Sequence, residues 1–154
     1  MSQSLPEIVI SETPSPADRE AILRPLLAYN DRRGPPSGFQ PLAISLRDPT
    51  TGETVGGLWG KSSYDWVFID LLFVPEQWRG QNVGTLLLRK AEEIGRVRDC
   101  IGLWLDTFGF QARGFYEKNG FELFGTLDDH PRGSKCYFMR KLLQPKAPSS
   151  STRS

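Results

Sequence analysis

Between an apolar run that ends in Leu72-Phe73-Val74-Pro75 and an amphipathic stretch lies the segment Arg79-Gly80-Gln81-Asn82-Val83-Gly84-Thr85. A strand, a proline-bearing turn and a glycine-bearing loop that opens a helix leave several backbone N–H groups without partners. Those donors and the positive end of the helix dipole attract anions, most often phosphate. The chemistry on offer is therefore a grip on a phosphate-bearing cofactor. The dinucleotide fingerprint G-x-G-x-x-G is absent, and so is the Gly-Lys-Ser/Thr ending of a nucleoside triphosphate loop. An ordinary strand-to-helix connection without a ligand stays open at this level.

The other chemistry-bearing side chains are sparse. His130 is the only histidine and stands with Asp128 and Asp129 near Pro131 and Gly133. That spacing is poor for a metal, so a solvated turn and no metal site are expected. Cys100 and Cys136 are far apart and lack ligand spacing. Reduced, buried thiols are expected, with a disulfide left open.

The elements that must position the loop follow from periodicity. Residues 5–10 read as a short strand because Ile8, Val9 and Ile10 are β-branched. Ser15 or Thr13 caps a helix starting near Pro16, with Ala21, Ile22, Leu26 and Tyr29 at helical spacing. Pro25 is expected to kink or split it, and residues 31–38 to form a loop. Residues 42–47 and 54–60 make an antiparallel hairpin, and residues 61–65 a further turn. Residues 66–74 form a long strand, apolar on both faces and thus central, with Asp70 its only charge.

Residues 83–97 form the most secure helix, with a stripe of Val83, Leu86, Leu87, Ala91 and Ile94. A strand over 100–107, a short helix over 111–118 ended by Asn119-Gly120, and strands over 121–127 and 136–142 complete the chain. Trp59, Trp66 and Trp104 are expected in the core. Trp78 is expected over the cofactor or at an interface. The alternation implies a mixed α/β fold with helices on both faces of the sheet.

The chain has 154 residues, 38% hydrophobic and 11% aromatic, enough for one core. One domain over residues 1–143 and a disordered polar tail over residues 144–154 are expected. Nineteen basic and 18 acidic residues leave a formal charge of +1. That balance argues against a nucleic-acid or membrane-surface partner. The N-terminus lacks a secretory pattern and no run suits a membrane span, so a cytoplasmic location is expected.

Two motifs then carry a family resemblance. Arg79-Gly80-Gln81-Asn82-Val83-Gly84 resembles the Arg/Gln-x-x-Gly-x-Gly/Ala loop of the GNAT superfamily of acyl-CoA N-acetyltransferases, with Asn82 in place of the first glycine. Asparagine is among the few residues that tolerate a left-handed backbone. Ala112-x-x-Phe115-Tyr116-Glu117-Lys118-Asn119-Gly120-Phe121 resembles the family's A-x-x-F-Y-E-K-x-G-F, and Leu72-Phe73-Val74-Pro75 the end of its fourth strand. The resemblance covers residues 5–143, and the run from Asp106 to Ala112 is similar to that of a bacterial subfamily.

It implies a mostly antiparallel sheet splayed between its fourth and fifth strands, with acetyl-CoA in the gap. The pantetheine arm would pair with backbone of Leu72, Phe73 and Val74. The pyrophosphate would meet the N–H groups of Gln81, Asn82, Val83, Gly84 and Thr85, with Arg79 and Gly80 shaping the loop. Arg79 either orients the loop or touches a phosphate. The family's usual asparagine is here Gly109, so Thr107 or Gln111 is expected to supply the polar contact to pantetheine. Phe115 and Tyr116 complete the cofactor side.

The resemblance makes Tyr116 the candidate general acid for the departing thiolate and Asp70 the candidate general base or ammonium anchor. Packing alone stays open for Tyr116, a solvated carboxylate for Asp70, and Glu76 is a weaker base. Phe108 and Phe110 either wall the acceptor pocket or pack, and Arg32-Arg33 either touches an anion or lies on the surface. The expected activity is acetyl transfer from acetyl-CoA to a small-molecule amine. Protein N-terminal or lysine acetylation, a non-catalytic acyl-CoA-binding module and a cofactor-free interaction domain remain alternatives. A homodimer is compatible with the resemblance.

Overall fold

In the computed structural model, which describes residues 4–143, the chain divides into two compact units, Met1–Pro36 and Ser37–Ser154. The expected tail, residues 144–154, lies outside the described residues. The first unit holds the helix α1 (Pro16–Arg33). Ser15 starts it with a capping box: its Oγ accepts from the Asp18 N–H at 3.3 Å, and Asp18 Oδ2 accepts from the Ser15 N–H at 2.8 Å. Pro25 does not end the helix, and the turns expected to be loop from Asp31 are helical to Arg33. A proline removes only one donor, and the cap together with the Glu20–Arg24 pair at 3.1 Å supports the turns around it. Residues 5–10 form no strand, contrary to their β-branched composition; Ile8 is 90% exposed. Strand propensity expresses itself only where a partner supplies the ladder.

The second unit is a six-stranded mixed sheet. Its elements are β1 (Gln40–Arg47), β2 (Thr54–Ser63), β3 (Trp66–Phe73), α2 (Val83–Val97), β4 (Gly102–Phe108), α3 (Arg113–Lys118), β5 (Glu122–Asp128) and β6 (Lys135–Leu142). The strand order is β1-β2-β3-β4-β6-β5. Every neighbouring pair is antiparallel except β3 with β4. Because the first expected strand does not form, the strands expected as fourth and fifth are β3 and β4.

The β2–β3 turn is tighter than its sequence suggests. Tyr64 and Asp65 both take positive φ, 47° and 70°, the backbone of a two-residue hairpin turn. Strand β2 therefore runs on to Ser63 rather than stopping at Gly60. One irregularity shapes β3. Gly60 pairs with Ile69 and Trp59 with Leu71, so Asp70 is an extra residue in a β-bulge. The bulge shifts the alternation: Val67 and Ile69 face the core before it, Leu72 and Val74 after it.

The core lies between this sheet and α2. Leu42, Leu58, Val67, Ile69, Leu103, Leu105 and Met139 meet Leu87, Leu88 and Ala91. The buried stripe of α2 differs from the expected one: Leu86 is 53% exposed, and Leu88 and Gly95 are inside. Trp59, Trp66 and Trp104 are not in the buried core; Trp59 is 50% exposed. Trp104 packs at a tilt on Phe68, with 4.4 Å between ring centroids and 39° between planes, on the sheet face away from α2. Both cysteines are free thiols. No helix of the described residues is long and apolar enough to cross a membrane.

A buried ion pair ties α2, α3 and β6 together. Glu92, whose side chain is 7% exposed, accepts from Lys141 Nζ at 2.8 Å. The same ammonium donates to the Asn119 carbonyl at 2.8 Å, just past α3. Removing Lys141 leaves the buried Glu92 carboxylate with only Arg96, at a long 3.9 Å, to offset its charge. Lys141→Ala is therefore expected to cost on the order of 3 kcal/mol in urea denaturation. A Glu92→Leu/Lys141→Met double variant is expected to recover most of that loss.

Candidate active site

Strands β3 and β4 are paired over only three couples, Trp66–Gly102, Val67–Leu103 and Phe68–Trp104. Beyond Phe68 the β4-facing edge of β3 has no strand beside it, while its other edge stays paired to β2 as far as Phe73–Gly57. The gap opens into a cleft of about 920 Å³. A segment with unpaired N–H and C=O groups there can accept a further extended chain, which is what Leu72, Phe73 and Val74 present.

The expected loop lies at one end of this cleft. Asn82 takes φ 62° and ψ 17°, the left-handed conformation that a glycine would supply. The first helical bond of α2 runs from the Leu86 N–H to the Asn82 carbonyl. The N–H groups of Val83, Gly84 and Thr85 are thus the free donors of the first turn, and all three residues line the cleft. Such a cradle fits a pyrophosphate.

Gly84 has a second role. A Cβ there would stand 2.9 Å from the ring of Phe115, so glycine lets α2 approach α3 closely. Arg79 orients the loop: its Nε donates to the Val74 carbonyl at 2.9 Å and its guanidinium lies over the Phe73 ring. The Gln81 side chain turns to the Gln77 carbonyl at 3.3 Å, and Gln81 does not line the cleft.

Helix α3 supplies Tyr116 from the other wall. Its ring packs edge-on to Phe115 and Phe121, at 5.2 and 5.8 Å between centroids. Burial pushes the phenol above its ordinary range, and the negative charge of Asp106 adds to the shift. The hydroxyl therefore keeps its proton at neutral pH, the state an acid needs. Thr107 and Gln111 are tied to each other. The Gln111 side-chain oxygen accepts from the Phe108 N–H at 2.9 Å and from the Thr107 hydroxyl at 3.3 Å. This bracket fixes the exit of β4 and leaves the Gln111 amide NH₂ as a donor.

Of the residues expected to hold the cofactor or catalyse, all but Gln81 line this one cleft, Asp70 included, and the weaker base candidate Glu76 does not. Trp78 and Phe110 line it too. Phe108 instead stacks between Phe110 and His130, at 5.2 and 5.3 Å. Asp106 and Lys118 also line the cleft and were not expected there. Lys118 was legible within the F-Y-E-K motif. Asp106 becomes visible only through the β3–β4 register, which a single sequence does not display.

The Acetyltransferase (GNAT) family matches residues 5–121. The chain is 37% identical over 133 residues to acetyltransferase Atu2258 of Agrobacterium fabrum, covering 86% of this chain and 96% of that one. It is 35% identical over 115 residues to the blasticidin-S acetyltransferase of Streptomyces morookaense, covering 73% and 85%. A crystal structure from Agrobacterium tumefaciens superposes with a TM-score of 0.84 at 35% identity, over 88% of this chain and 98% of that one. The protein belongs to the GNAT family of acetyltransferases.

The geometry of Asn82 makes its own test. Asn82→Gly is expected to leave the urea midpoint nearly unchanged, since glycine adopts the same backbone freely. Asn82→Val is expected to cost about 1–2 kcal/mol, the penalty of a left-handed residue with an ordinary Cβ.

Proposed function

We propose that the protein is an N-acetyltransferase that moves acetyl from acetyl-CoA to a primary amine of a small molecule, by direct attack in a ternary complex. The observation that carries this reading is the cleft itself. It brings an anion cradle, an open strand edge, a half-buried phenol and a carboxylate to one cavity.

Val83, Gly84 and Thr85 would hold the pyrophosphate through their N–H groups, and Leu72, Phe73 and Val74 the pantetheine arm. Acetyl-CoA supplies an acetyl group activated as a thioester. As the new C–N bond forms and the C–S bond breaks, the acceptor ammonium loses two protons, one to Asp70 and one to solvent. The sulfur takes the phenolic proton of Tyr116, which solvent replaces, and Asp70 passes its own proton on to solvent, so one proton is released per turnover. Asp70 lies on the bulge of β3, where the backbone is re-aimed out of the ladder. It is the base in this reading, and Tyr116 is the acid.

The relative named for blasticidin S favours a small-molecule acceptor over a protein terminus or lysine. The retained phenol and carboxylate favour catalysis over a binding module.

Tyr116→Phe is expected to lower kcat about 100-fold, the scale of one general acid, with a much smaller effect on the KM for acetyl-CoA. Free-thiol release against a panel of amines measures both. Because the folded phenol titrates above its usual value of about 10, wild-type kcat should show no loss from its ionisation up to that pH. Unchanged turnover in Tyr116→Phe would remove the residue from the mechanism.

A further inference from the structure

Among the described residues, two exposed large apolar side chains line the cleft, Phe73 and Phe110. The Phe73 ring lies under the Arg79 guanidinium. Phe110 is 69% exposed, and its place is nonetheless fixed. The Gln111 N–H donates to the Phe108 carbonyl at 2.9 Å, closing a turn over residues 108–111. The Gly109 N–H donates to the Lys135 carbonyl at 2.7 Å, which ties that turn to the start of β6. A Cβ at Gly109 would stand 3.1 Å from Ser134 Oγ, so the glycine lets the two segments close up. The rings on either side of Gly109 lie 5.2 Å apart and within 8° of parallel. Behind them the His130 ring packs on Phe108 at 5.3 Å. Three rings thus form a stack, backed by the β5–β6 loop and ending in the open face of Phe110.

The stack stands on one side of the sheet. Leu103 and Leu105 join the core under α2. Alternation along β4 therefore turns Trp104, Asp106 and Phe108 to the other side. The groups suited to the acetyl donor reach the cleft from the α2 side. They are the free N–H groups of its first turn and Tyr116 on α3, which packs against α2 through Phe115 and Gly84. A thioester held from that side is open to attack from the opposite one, where Phe110 stands.

An exposed ring that is already ordered loses little freedom when a ligand covers it. Its flat π face is matched best by a second flat ring, offset or edge-on. We propose that Phe110 is a specificity-determining residue. It is the platform for a planar ring of the acceptor, and it selects amines joined by a short chain to an aromatic or heteroaromatic group. This rests on the N-acetyl transfer reading. Phe108 then serves packing, and Phe110 the acceptor.

The test compares 2-phenylethylamine with 2-cyclohexylethylamine, which share charge and carbon skeleton and differ in the flat π face. Binding to the CoA-loaded protein is measured by calorimetry, and kcat/KM by thiol release. In the wild type the phenyl compound is expected to be favoured about three- to tenfold in both measurements, the scale of one aromatic pair. Phe110→Leu is expected to bring the ratio below about twofold, and Phe110→Tyr to keep it. CoA affinity is expected to change less than about twofold in Phe110→Leu, since the donor is held from the other side. No preference in the wild type, or a preference that survives Phe110→Leu, would overturn the proposal. So would a loss of CoA affinity in Phe110→Leu as large as the loss of amine affinity, which would assign the ring to the cofactor. If no amine is acetylated while CoA still binds, the transferase reading fails, and the binding ratios alone decide the role of Phe110.

Discussion

Three couples of a parallel ladder hold β3 to β4, and past Phe68–Trp104 the strands separate. Unpaired backbone groups in the middle of a sheet are costly unless water or another chain meets them. Here two local features keep the gap from closing. The extra residue at Asp70 bends β3 and strengthens its twist. Strand β4 meanwhile is paired along its full length to β6, from Gly102–Leu142 to Phe108–Cys136, so it cannot follow β3. The result is an open edge at the centre of a sheet that is otherwise closed by antiparallel neighbours.

The two helices depend on that gap and on each other. Helix α2 leaves the loop after β3 and packs its buried face across four strands. Helix α3 leaves the end of β4, where the Thr107–Gln111 bracket fixes the turn. Gly84 lets the first turn of α2 touch the Phe115 ring. The Glu92–Lys141–Asn119 tie holds the far ends. The free N–H groups and the phenol are thus set by one rigid contact rather than by two independent loops. Precision of this kind comes from elements locked by packing, and not from the catalytic side chains themselves.

How much of this was legible in the sequence depended on range. Local signals carried well: Ser15 as a cap, the 83–97 helix with both its bounds, and Asn82 as a stand-in for glycine. Each is decided within a few residues by backbone conformation or side-chain reach. Signals that need a partner did not carry. Ile8, Val9 and Ile10 have strand propensity and form no strand. The tryptophans looked like core by residue type, but alternation through β2, β3 and β4 puts Trp59, Trp66 and Trp104 on the face opposite α2. Leu86 and Leu88 exchanged places because a run of three leucines fits two neighbouring stripes, and only the packed sheet decides between them.

Net charge shows the same limit from another side. A formal charge of +1 made the chain look indifferent to charged partners. Balance over 154 residues says nothing about separation within one cavity. Asp70 and Asp106 are distant in sequence, and the parallel crossover through α2 brings both to one cleft. The anion-binding end needs no formal charge at all, since its donors are peptide N–H groups and a helix dipole. A chain nearly neutral in composition can therefore still hold peptide N–H donors and carboxylates within one cleft. Counting charged residues excludes large single-sign fields, and it passes over how charge is arranged within one cavity.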